Sequence, residues 1–95
     1  MVNPHLYNAN VPQNIGIILN ELIDKISDLR VLKNYLNLNI LKSSEKRTFS
    51  LIFNNIIKDC LNLIDKIDNY IKEKKDYFVN YMCLYYIEQF NKIVI

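Results

Sequence analysis

The sequence predicts an all-α protein, a small three-helix bundle of the helical-hairpin type. Two observations carry that reading. Apolar residues between Thr48 and Ile71 recur as Phe49, Ile52, Phe53, Ile56, Cys60, Ile64, Ile67 and Ile71, in steps of three and four that line one side of an α-helix. After Gly16 no glycine or proline interrupts the chain, so the tight turns that a meander of short strands requires are missing.

The first eleven residues have no apolar period and contain Pro4, His5 and three asparagines; they read as a flexible N-terminal arm, with one helical domain over 12–95. Pro12 suits the first turn of a helix, where its missing N–H costs nothing, with Asn10, Val11 or Asn14 near the cap. The first stripe runs Ile15, Ile18, Leu19, Leu22, Ile26, Leu29, Leu32 and Leu36. Asp24, Asp28 and Asn34 mark its wet side, and Glu21 and Lys25 make a favourable pair four apart. Val31 falls on the wet side, either as an isolated exposed residue or as part of a second contact surface.

Residues 37–44 break the period. Asn37 or Asn39 suits a helix end, and Ser43 or Ser44 suits the next cap with Glu45 in the first turn. In the central helix Ser50, Asn54, Lys58, Asp59, Asn62, Asp65, Lys66 and Asn69 form the polar face. Lys72, Lys74 and Lys75 suit a helix C-terminus and Asp76 a new N-cap. These predict a turn over 72–76, in preference to one rod from Glu45 to about Ile93.

The last segment is apolar around most of its circumference, with Tyr77, Phe78, Val79, Tyr81, Met82, Cys83, Leu84, Tyr85, Tyr86, Ile87 and Phe90. Its β-branched and aromatic content also suits a strand, but the pair Glu88 and Lys92 and the narrow wet strip favour a helix. Such a helix must be covered from several sides. A chain of 95 residues buries a thin core for a monomer, so the expected assembly is a homodimer forming a larger bundle, with self-association through Phe78, Tyr81, Met82, Tyr85 and Phe90.

Composition bounds the chemistry. The net charge of +2 is too mild to demand a polyanionic partner. Two cysteines define neither a disulfide framework nor a zinc site. The sole histidine, His5, is stranded in the arm, and no glycine-rich phosphate loop or metal-ligand spacing occurs; the expectation is a protein that is not an enzyme and uses no cofactor or metal. In a hairpin of the last two helices, Cys60 and Cys83 fall nearly level; buried reduced thiols are the preferred reading and a bridge the alternative. No secretory signal and no run long enough to span a membrane are visible, which points to a soluble intracellular protein.

Isoleucine, asparagine, lysine and tyrosine are abundant, while Ala9 is the only alanine and Arg30 and Arg47 are the only arginines. That bias indicates AT-rich coding, as in a virus, parasite or mobile element. The functional expectation is a protein-protein interaction or oligomerisation module with a host or viral partner. The alternative is nucleic-acid binding: Lys72, Lys74, Lys75 and Tyr77, with Lys42, Lys46 and Arg47 as a second basic cluster, offer aromatic faces beside cations that can stack bases and hold phosphates. A membrane-surface amphipathic helix fits less well, because Asp59, Asp65 and Asp68 interrupt the central helix's polar face.

Overall fold

The computed structural model describes residues 13–73 and 77–95. The N-terminal arm with His5 and Pro12, and the Lys74, Lys75 and Asp76 part of the expected turn, lie outside the described residues. Three helices follow one another: α1 (Gln13–Asn37), α2 (Ser43–Glu73) and α3 (Tyr77–Val94). The single-rod alternative is excluded, since Val79, Met82, Cys83, Phe90 and Ile93 of α3 share one core with Cys60, Leu63 and Ile67 of α2.

Cross-helix contacts fix the directions. Lys25 meets Asp59 and Tyr35 meets Phe49, two pairs symmetric about residue 42, so α1 and α2 form an antiparallel hairpin. Arg30 bonds Gln89 and Lys33 bonds the carbonyl of Ile93, so α1 and α3 run parallel. The bundle is therefore up-down-up. Its long dimension of 47 Å matches the ~46 Å expected of the 31-residue α2 at 1.5 Å per residue.

The predicted α1 stripe is the floor of the core. Ile15, Leu19, Leu22, Ile26 and Leu29 are buried, and Ile18, Leu32 and Leu36 are half-buried. On α2 the buried line is Cys60, Leu63 and Ile67. The expected stripe omitted Leu63 and included Ile52, which is exposed. With two neighbours to cover it, the buried arc of α2 is wider than one row and takes in the i+3 position beside Cys60. The predicted polar face of α2 is exposed except for the half-buried Ser50.

The connection between α1 and α2 ends one helix and starts the other with different devices. The Leu38 amide donates to the Tyr35 carbonyl at 3.1 Å, a tightened last turn. The Lys42 carbonyl accepts the first i→i−4 bond of α2, from the Lys46 amide at 2.9 Å, and Glu45 Oε1 accepts from the Lys42 amide at 3.0 Å. Lys42 is thus the N-cap, rather than Ser43 or Ser44, and Glu45 supplies the returning half of a capping box whose other half a lysine cannot provide. Likewise Lys25 reaches across to Asp59 instead of pairing with Glu21. The Glu88 and Lys92 pair forms at 3.6 Å, as its spacing predicts.

Candidate interaction surfaces

Burial divides the five residues expected to mediate self-association. Met82 and Phe90 point into the core of their own chain, at 8% and 2% exposure. That corrects their place on an outer surface: at helical spacing they sit with Val79, Cys83 and Ile93, on the side of α3 that α1 and α2 cover. Phe78, Tyr81 and Tyr85 lie on the opposite side. Tyr77 and Leu84, which the expected set lacked, join them, with exposures of 93% for Tyr77, 52% for Phe78, 71% for Tyr81, 57% for Leu84 and 45% for Tyr85. The i, i+4, i+7 and i+8 steps from Tyr77 to Tyr85 were readable in the sequence. What hid the division was the near-uniform hydrophobicity of α3 up to Ile87, where the outer face carries no charged residue. Tyr85 is braced by an edge-on contact with the half-buried Tyr86, ring centroids 5.1 Å apart. The same outer face turns polar after Tyr85, where Glu88 and Lys92 pair.

A second surface lies at the tip of the α1–α2 hairpin. Ile93 is level with Lys33, so α1 beyond Tyr35, the connection, and α2 up to Phe49 project past α3 as two helices only. Tyr35 and Phe49 close this extension with rings 6.2 Å apart. Leu38 and Ile40 are exposed at its apex, and Leu41 is half-buried. Lys42, Lys46 and Arg47 are exposed there and form no ion pair with a described residue. Exposed Lys72 stands 26 residues along α2 from Lys46, about 39 Å at 1.5 Å per residue. The two basic clusters of the nucleic-acid alternative therefore sit at opposite ends of the rod. Lys72 and Tyr77 are both exposed at the far end, and Lys74 and Lys75 lie outside the described residues.

The thiols are inward and inert. Cys60 and Cys83 are fully buried and unbridged. Burial pushes the Cys60 thiol up to about 11, with Lys25 opposing and Asp59 adding to the shift. Burial likewise raises Cys83 to about 11, assisted by the charge of Asp68.

Among the described residues no three His, Cys, Asp or Glu side chains are grouped to hold a metal ion. No described helix is long and apolar enough to cross a membrane. No protein-family model, curated protein or solved structure matches this chain.

Proposed function

We propose that the chain is a non-enzymatic helical interaction module that self-associates through the outer face of α3. The observation that supports this is the row Tyr77, Phe78, Tyr81, Leu84 and Tyr85, exposed on one side of one helix. At the 150–250 Å² typical of an aromatic side chain, the exposed fractions amount to about 600 Å² of apolar surface, at the upper limit for an ordinary monomer. Two such patches facing each other bury about 1,200 Å², the lower bound of a specific interface, before any polar rim is added.

A two-fold axis near Tyr81 laid across antiparallel copies of α3 matches the patch to itself, because the row runs four residues to either side of that residue. Tyrosine suits the role: its ring supplies area at low entropic cost and its hydroxyl stays at the wet rim. The unbridged thiols support a reducing, intracellular setting, and the coding bias supports an AT-rich genome such as that of a virus, with a host or viral protein as a further partner. Nucleic-acid binding has less support, since its two basic clusters are separated along the rod.

The test is Tyr81→Glu together with Tyr85→Glu. Both positions are exposed, so helicity by circular dichroism is expected to persist while the mass by light scattering falls to that of one chain. A wild-type-like dimer after the double change removes the α3 face from the interface.

A further inference from the structure

We propose that the tip of the α1–α2 hairpin docks end-on against an anionic lipid surface, inserting Leu38 and Ile40 at the headgroup level while Lys42, Lys46 and Arg47 engage lipid phosphates and carboxylates. The first support is charge separation along the rod. Residues 30–52 carry five cations against one carboxylate, whereas the bodies of α1 and α2, residues 13–29 and 53–73, carry four cations against seven. A chain with a net charge of only +2 thus concentrates its largest local excess of positive charge, +4, in residues 30–52, against −3 over the bodies of α1 and α2 and +1 over residues 74–95, a bias that favours presenting this end to an anionic surface. The one tip carboxylate is occupied: Glu45 Oε1 accepts the Lys42 amide at the helix N-terminus. Arg30 and Lys33 are tied to Gln89 and Ile93, leaving Lys42, Lys46 and Arg47 as the cations free to meet a surface.

The second support is the chemistry of the apex. Ile40 is 73% exposed and Leu38 46%, two aliphatic side chains at the end of a 47 Å rod. A hydrophilic polyanion offers such side chains nothing. The boundary between headgroups and acyl chains accepts aliphatic groups and supplies anions immediately outside them, the order in which this tip presents them. A nucleic-acid backbone would be served by the cations alone, and bases would call for aromatic rings beside the cations, whereas the nearest exposed ring, Tyr35, is set one turn back from Leu38 and turned to Phe49.

The experiment uses the full chain with vesicles of phosphatidylcholine, with and without phosphatidylserine, read by co-sedimentation. Binding is expected only with phosphatidylserine and is expected to weaken with salt. Lys42→Gln, Lys46→Gln and Arg47→Gln together are expected to lower the partition coefficient on the order of a hundredfold, about fivefold per cation removed. Leu38→Ser with Ile40→Ser, at exposed positions that leave the fold intact by circular dichroism, is expected to lower it at least tenfold without changing the net charge. Equal binding to both vesicle types, or none to either, overturns the proposal. So does an undiminished serine variant, which reduces the contact to charge adsorption, and so does binding of a single-stranded oligonucleotide without binding of vesicles. The dimer contact on α3 is tested separately and its failure leaves these outcomes unchanged.

Discussion

The Lys33 ammonium donates a 2.6 Å hydrogen bond to the carbonyl oxygen of Ile93, joining the last quarter of α1 to the last turn of α3. The final carbonyls of a helix have no partner within it, and a cation there satisfies both the acceptor and the negative end of the helix dipole. In a bundle whose third helix is only 18 residues long, that bond secures the end of α3.

Lys33→Met keeps the stem of the side chain and removes the donor. The expected loss is about 1 kcal/mol by urea denaturation, with faster amide exchange in the last turn of α3. Arg30→Ala, whose bond to Gln89 is exposed, is expected to cost less than about 0.5 kcal/mol.

Leu61 and Leu63 differ by one residue between them and by half a helical turn in environment, at 53% and 6% exposure. Leu63→Ala is expected to cost about 2–5 kcal/mol and Leu61→Ala under about 0.5 kcal/mol. Equal effects in thermal or urea unfolding would contradict the register of α2.

Asn80 Oδ1 is buried without a hydrogen-bond partner among the described residues. Replacing it with the similarly sized Leu is expected to raise stability by about 1 kcal/mol, because a desolvated acceptor disappears and apolar contact replaces it. A loss of stability would identify a partner for the amide.

The thiols predict a pH dependence. Their folded pKa values stand near 11, against an ordinary value of 9.0, so the folded state retains protons that the unfolded chain releases. This contribution is complete below about pH 9 and is lost as pH rises toward 11. Cys60→Ala with Cys83→Ala is expected to melt below wild type at neutral pH, and the gap in Tm to narrow between pH 9 and 11. At neutral pH, both wild-type thiols are expected to react with a thiol reagent only on unfolding.

Much of this architecture was legible in the periodicity. The α1 stripe from Ile15 to Leu29 matches the buried floor because α1 packs both neighbours on one side and carries clear polar markers, Asp24 and Asp28, on the other. The second surface was harder to read. Leu38, Ile40 and Leu41 interrupt the period as an apolar loop, and only the end of α3 at Val94 reveals that nothing from α3 reaches them. On α3 the sequence distinguishes core from surface poorly, since Met82 and Tyr81 are both apolar in character and one step of 100° separates burial from exposure.

Sedimentation equilibrium of the wild-type chain across a range of concentrations tests the α3 contact most directly. The expected result is reversible association to twice the 11.3 kDa chain mass, lost in the Tyr81→Glu and Tyr85→Glu variant. A single species at 11.3 kDa, unchanged at the highest concentration reached, would contradict it.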